Sequence, residues 1–496
     1  MNYISTRDQS LKKTSAQVIK QGLADDGGLF MPEIIPHITF SELKTIVSLS
    51  YPERAAKILS MFLTDYDTEF LNYAAHRAYS YERFGANAAP IKMLDEKNCI
   101  LELWHGPTSA FKDMALQIMP VLLSEALNIT SEKRTALILV ATSGDTGKAA
   151  LEGYRDVDRI KIMVFYPEDG VSDIQKHQMA SQEGRNVGVC SIKGNFDDAQ
   201  TAVKKIFSDP AIAEELDASG LFLSSANSIN WGRLVPQIVY YISAYCDLVK
   251  EQRICLGDKI DICVPTGNFG NIFAAFTAKK MGLPVRRLIC ASNKNNVLTD
   301  FINTGIYDRN REFYTTISPS MDILISSNLE RLLYVLQGAE KTKLCMENLA
   351  KTGRYELDDE IKEAVRETFT GCYATEADTK DTIKEIFEKY KYLIDPHTAV
   401  AVYAARKTSL TDNTVVVTAS TASPYKFSAD VLSALGYAIP EGDFFGALDK
   451  LHEITGVDIP LPLNALKTKP KRFFAVCEKD TGSLWHEVEK FVKNRF

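Results

Sequence analysis

From residue 136 to residue 300 the chain alternates two apolar patterns. Unbroken apolar runs at 136–141, 162–166, 187–192, 260–264 and 288–291 have the length and composition of buried strands. Between them, 149–154, 198–207 and 234–249 place apolar residues at helical spacing. Strand alternating with helix predicts an α/β fold: open, mostly parallel sheets with flanking helices. In such sheets ligands collect at the carboxyl ends of the strands, so the segments just after each run are the expected seats of chemistry. Residues 1–85 read as mainly helical, with helical spacing at 41–47 and 66–79. Within them Gly22, Asp25, Asp26, Gly27 and Gly28 mark a loop whose apolar end, Leu29–Phe30–Met31, is suited to docking on another domain. Residues 85–90 form a linker to a core that spans 86–430 as two α/β lobes. Helical patterns and charge at 357–370 and 382–390 read as an insertion or cover at about 300–395. A further strand is expected at 414–418, and 431–496 is a C-terminal segment with mixed signals and no motif.

The stretch 104–117 holds one lysine between a turn and an apolar run. Gly106 and Pro107 end the strand-like run 99–103, and Met114, Leu116, Ile118 and Met119 continue as a helix expected to reach Pro120. Lys112, near the start of that helix, is either a snorkelling surface residue or an amine partly removed from water beside a positive helix end. The second setting disfavours the ammonium and favours the free amine that a Schiff base requires.

Two glycine-rich loops follow strand-like runs. Thr142, Ser143, Gly144, Asp145, Thr146, Gly147 and Lys148 open a helix after 136–141, where hydroxyls and backbone donors favour an anion. A nucleotide P-loop would need glycine at 142 and a hydroxyl residue at 149, where the chain has Thr142 and Ala149. A small carboxylate suits this loop better, and a plain helix-capping turn is the other reading. Gly267, Asn268, Phe269, Gly270 and Asn271 follow 260–264 and precede a helical run; glycines there let the main chain approach a phosphate. No G-x-G-x-x-G is present, which disfavours a dinucleotide. Asn230 and Arg233, with Asn227 and Ser228, open the long helical run 234–249 as polar contacts or as an N-cap. Thr421 places a hydroxyl at the carboxyl end of the strand 414–418. His397, at another helix start, is a proton carrier or a structural residue. A Schiff-base lysine, a phosphate loop and a carboxylate loop together describe an enzyme that uses pyridoxal 5'-phosphate on an α-amino acid.

Composition narrows the class. The chain has 496 residues, too many for one hydrophobic core, with 45% hydrophobic and 24% charged residues. A net charge of −7 and no basic stripe argue against nucleic acid as a partner. Nine scattered cysteines form no C-x-x-C pair, which favours a reducing compartment over a disulfide framework. No apolar leader opens residues 1–10 and no run reaches membrane-spanning length, so a cytoplasmic protein without membrane contact is expected.

Residues 105–113, His-Gly-Pro-Thr-Ser-Ala-Phe-Lys-Asp, resemble the cofactor-lysine segment of threonine synthases, type II fold pyridoxal-phosphate enzymes. The leader at 3–7, the loop at 22–32, the Asn-Ser-Ile-Asn-Trp run at 227–231 and the Asp-Pro-His-Thr-Ala run at 395–399 are similar to that family in the same order. The resemblance implies that Lys112 carries pyridoxal 5'-phosphate and is catalytic, that Gly267, Asn268, Phe269, Gly270 and Asn271 bind its phosphate, and that Thr421 meets its pyridine nitrogen. It further implies that Thr142, Ser143, Asp145 and Thr146 hold the substrate carboxylate, with Asn230 and Arg233 as further substrate contacts. Residues 1–85 would be the family's N-terminal domain. The implied reaction is O-phospho-L-homoserine plus water to L-threonine plus phosphate, the last step of threonine biosynthesis, by a monomer or homodimer. A serine or threonine dehydratase of the same fold and a non-catalytic cofactor-binding homologue are the rivals. The chain departs from the family's Thr-Ala-His-Pro-Ala-Lys-Phe run, carrying Ser423 for the histidine and Tyr425 for the second alanine.

Overall fold

A computed structural model describes residues 1–142, 144–168, 171–408, 413–440 and 442–493. Two sheets carry the core. One has five parallel strands in the order Ala475–Glu478, Val187–Lys193, Ile160–Pro167, Thr135–Ala141, Leu221–Ser224. The other has six, in the order Phe369–Tyr373, Val285–Ser292, Ile260–Pro265, Val416–Ser420, Asn98–Glu102, Ile91–Met93, and only the last pair is antiparallel. Helices cover both faces of a parallel strand, which is why these segments read as unbroken apolar runs. Ile260–Pro265 is buried at every residue. Its one charge, Asp261, is held by Arg286 at 2.6 Å and Arg287 at 3.0 Å, which offsets its desolvation.

Register fixes where a site can form. Ile260–Pro265, Val416–Ser420 and Asn98–Glu102 lie side by side and parallel, with Thr418 opposite Cys263 and Ser420 opposite Glu102. Their carboxyl ends therefore open onto one edge. The segments leaving that edge contain Gly267, Thr421 and Lys112.

The first residues fold as an antiparallel pair, Tyr3–Ser5 with Phe30–Pro32, among the helices Ser15–Gln21, Phe40–Val47, Tyr51–Phe62 and Thr68–Ala78. Thr14, Thr39 and Ser50 start three of them through capping boxes with Gln17, Glu42 and Glu53. Arg54 reaches Asp247 on the long helix Trp231–Lys250 at 2.6 Å. Leu29, Phe30 and Met31 are buried, and the carbonyl of Phe30 accepts a bond from Arg331.

The chain departs from its sequence pattern at three points. The helix after Lys112, Asp113–Leu116, stops after four residues, and Pro120 opens the next helix, Met119–Ile129, where a missing N–H costs nothing. The helical run expected at 357–370 is the helix Asp359–Thr368 followed at once by the edge strand Phe369–Tyr373. The mixed signals of the tail resolve into Ala475–Glu478, which pairs with Val187–Lys193, and the helix Thr481–Lys493, whose Leu484, Val488 and Phe491 join the apolar cluster of Leu137 and Phe165.

Candidate active site

The Lys112 turn is held from both ends. Thr108 donates its N–H and its hydroxyl to the Asp113 carboxylate, both at 2.8 Å. A Cβ on Gly106 would stand 2.5 Å from the Asp113 Cβ, so the turn closes only over glycine. Phe111 donates its N–H to the Thr421 carbonyl at 2.8 Å, and Ser423 donates to Ser109 at 3.1 Å. Lys112 is half-buried at the start of Asp113–Leu116, and its Nζ lies 4.3 Å from the centre of the Phe111 ring. Burial pushes its amine down to about 8; Asp145 opposes the shift, while Arg233 and Lys426 reinforce it. A four-residue helix adds little dipole, so desolvation and neighbouring cations carry the effect expected of a helix end.

The loop after Ile260–Pro265 wraps the start of the helix Gly270–Lys280. Phe269 sits in the left-handed region at φ 61°, with its ring buried against Phe369. Asn271 accepts hydroxyl bonds from Tyr240 at 2.6 Å and Tyr241 at 2.5 Å, and its Nδ2 is buried without a partner among the described residues. A Cβ on Gly267 would meet the Ser320 carbonyl at 2.5 Å. Asn268 is exposed, and Gly270 is buried at the head of the helix.

The loop at 142–148 is reached from the other sheet. The Thr142 hydroxyl accepts from the N–H groups of Gly144 and Gly147 at 3.0 Å each, so it caps the turn. Asp145 accepts from Gln175 at 2.7 Å and pairs with Lys426 at 2.5 Å, both members of the pair being buried. Lys426 also donates to the Thr108 carbonyl at 3.0 Å, which ties this loop to the Lys112 turn. A carboxylate already turned to Lys426 does not receive a second one. An anion would meet the N–H groups that start the helix Asp145–Tyr154 and the half-buried Thr146. Ser143 lies outside the described residues. Lys148 is matched by Glu152 at 3.2 Å and is bonded to Gln182.

Asn230 is spent on structure. Its Oδ1 accepts from Gly232 at 2.9 Å, and its Nδ2 donates to the carbonyls of Ile19 and Ser225 at 3.0 and 2.9 Å. Arg233 differs. It is buried, donates to the Ala226 carbonyl at 2.6 Å, keeps its Nε without a partner, and has no carboxylate partner among the described residues. Burial pushes its guanidinium down to about 10.

His397 has both nitrogens engaged: Nδ1 faces Asp395 at 2.8 Å and Nε2 accepts the Ser320 N–H at 3.1 Å. It is a strut behind the Gly267 loop. The Asp145–Lys426 pair, Gln175 and the segment 320–328 were not legible as site elements. The available signals were the helix-start run Ser326-Ser327-Asn328 and Lys426 within the run at 421–427.

These residues suit pyridoxal 5'-phosphate: an amine of lowered proton affinity for its aldehyde, and beside a helix start a glycine loop with a buried amide donor left open. Matches to protein-family models give the same reading: Threonine synthase N terminus at residues 2–79, Pyridoxal-phosphate dependent enzyme at 99–421, and Threonine synthase, C-terminal at 398–492. The threonine synthase of Pseudomonas aeruginosa is 38% identical, covering 88% of this chain and 90% of that protein. Human threonine synthase-like 1 is 39% identical over 100% of this chain but only 69% of its own length, so the chain spans about two thirds of that relative. Among solved structures, the PLP-bound threonine synthase of Brucella melitensis superposes with a TM-score of 0.88 at 34% identity, covering 100% of both chains. The yeast threonine synthase gives 0.88 at 32% identity, covering 99% of this chain and 98% of its own. The chain belongs to the threonine synthase family of pyridoxal-phosphate dependent enzymes.

Proposed function

We propose that this protein converts O-phospho-L-homoserine and water to L-threonine and phosphate. The observation that carries the reading is Arg233, a buried guanidinium without a carboxylate partner among the described residues, within electrostatic reach of the Lys112 amine. A buried unmatched cation is costly unless an anion completes it, and a substrate phosphate is such an anion. Lys112 would hold the aldehyde of the cofactor, which supplies an electron sink for the charge left at the substrate Cα. A freed Lys112 amine would remove the proton from Cα, give that proton up and, neutral again, remove one from Cβ. The Cγ–O bond breaks, phosphate leaves toward Arg233, and Cγ becomes the methyl group of the product once water has added at Cβ and protons have returned. Lysine suits this shuttle because an amine near pH 8 exchanges protons close to neutrality. The N–H groups of 267–271 and the Asn271 amide would hold the cofactor phosphate, Thr421 its ring nitrogen, and the start of the helix Asp145–Tyr154 with Thr146 the substrate carboxylate.

No described helix is long and apolar enough to cross a membrane. The proposal includes a cytoplasmic site of action, a small-molecule substrate without nucleic acid, and a monomer or homodimer. The test is phosphate release from O-phospho-L-homoserine by the PLP-loaded protein, with L-serine and L-threonine as controls for ammonia and keto-acid release. Deamination of the controls without phosphate release would replace the reading with a dehydratase.

One observation favours a second reading. The threonine synthase-like 1 proteins match the whole chain as well as the bacterial enzyme does, and the run at 421–427 is altered. The alteration is absorbed by packing: Ser423 caps the turn Pro424–Phe427, and the Tyr425 hydroxyl bonds the Val457 carbonyl. Bound cofactor with no turnover of any of the three substrates would favour a non-catalytic homologue.

A further inference from the structure

The loop at 267–271 is gripped from outside by one segment. Ser326 donates its hydroxyl to the Gly267 carbonyl at 2.7 Å. Asn328 donates both its N–H and its Nδ2 to the Asn268 carbonyl, at 3.0 and 2.9 Å. Peptide units are planar and trans, so a carbonyl and the N–H of the next residue point in opposite directions. Capturing the carbonyls of 267 and 268 on one side turns the N–H groups of Asn268 and Phe269 to the other. Among the described residues neither N–H makes a hydrogen bond.

The grip is itself fixed. A guanidinium only donates, so the bond from Arg331 to the Asn328 amide must end on Oδ1, which sends Nδ2 toward Asn268. Arg331 is buried and anchored on the carbonyls of Phe30 at 3.2 Å and Ile229 at 2.6 Å. From these contacts we propose that Ser326, Asn328 and Arg331 are positioning residues that present the N–H groups of Asn268 and Phe269 to the phosphate of the cofactor. The proposal rests on the assignment of 267–271 as the phosphate site.

The experiment compares two ligands on the protein stripped of cofactor. Pyridoxal 5'-phosphate and pyridoxal share the aldehyde and the ring, and only the first needs the loop. Each is titrated into wild type, Ser326→Ala, Ser326→Thr and Asn328→Ala, with dissociation constants read from the Schiff-base absorbance. Ser326→Ala and Asn328→Ala are expected to weaken pyridoxal 5'-phosphate by about tenfold each, the scale of one lost hydrogen bond to a loop carbonyl. Pyridoxal binding should stay within about twofold of wild type in both, and Ser326→Thr, which keeps the hydroxyl, should hold the phosphorylated ligand as wild type does. Equal losses for both ligands would mean a merely structural role and would overturn the proposal, as would no loss for the phosphorylated ligand. Should Asn328→Ala fail to fold, the Ser326 pair decides alone. A wild type that binds both ligands equally well would bring down the phosphate-site assignment itself, an outcome distinct from failure of the grip.

Discussion

Phe111 and Thr421, 2.8 Å apart through a backbone hydrogen bond, join the residue before the lysine to the end of the strand Val416–Ser420. Lys112 is thereby located by the sheet and not by its own short helix. Its replacement by alanine should leave the fold intact, abolish the visible Schiff-base absorbance and cut phosphate release by about a thousandfold or more. An unchanged spectrum in Lys112→Ala would remove the assignment.

The Lys112 amine, pushed down to about 8 by burial, sets a pH profile. In cofactor-free protein the rate of aldehyde capture should rise about tenfold per pH unit below this value and level off above it. The unfolded lysine keeps its proton to about 10.4, so the unfolded chain binds more protons between the two values and the contribution to stability rises with pH across that window. Asp145 is the neighbour that raises the value, so Asp145→Asn should shift the kinetic midpoint downward. A midpoint unmoved by that change would exclude the electrostatic account.

Lys426→Met tests the buried pair with Asp145. Both side chains are almost fully enclosed, so removing the cation strands a carboxylate. The expected loss is about 3–5 kcal/mol in denaturant unfolding, and the double variant with Asp145→Asn should recover most of it. The single variant should also move the capture midpoint upward, since it removes a cation and frees an anion beside Lys112.

Gly153→Ala probes the contact between the helix Asp145–Tyr154 and the end of Asp113–Leu116, where a Cβ would lie 1.9 Å from the Leu116 carbonyl. Backbone cannot yield as a flexible side chain can, so a loss of about 3 kcal/mol or more is expected. Gly436→Ala, with nothing among the described residues within 4 Å of the new carbon and φ at +85°, should cost only about 1–2 kcal/mol of backbone strain.

His397→Gln retains an acceptor in the place of Nε2 and should keep most of the turnover, whereas His397→Ala releases the Ser320 N–H and should lose cofactor. A fall of about a hundredfold or more in kcat for the glutamine variant, with cofactor still bound, would mean that the ring moves protons.

How far the sequence disclosed this site depends on what each residue bonds to. Strand Ile260–Pro265 and the glycines after it were visible because parallel strands are apolar throughout and because loops at helix starts have a recognisable composition. Lys112 was visible from its turn. The environment that lowers its proton affinity was not, because Asp145, Arg233 and Lys426 come from distant parts of the chain. Asn230 left two readings open for a related reason: an N-cap asparagine and a ligand-binding asparagine look alike until the partners Ile19, Ser225 and Gly232 are known. Asn328 escaped notice because its bond to Asn268 spans 60 positions, beyond any local pattern.

The pairing of Ala475–Glu478 with Val187–Lys193 has a consequence for biosynthesis. The Ser191 hydroxyl waits for a carbonyl made 284 positions later. Throughout that interval the nascent lobe presents a bare flank of unpaired amides, open to strands from neighbouring polypeptides. A ribosome stalled short of residue 475 would hold a half-closed lobe prone to aggregate, so this late-made segment is what renders the earlier ones safe.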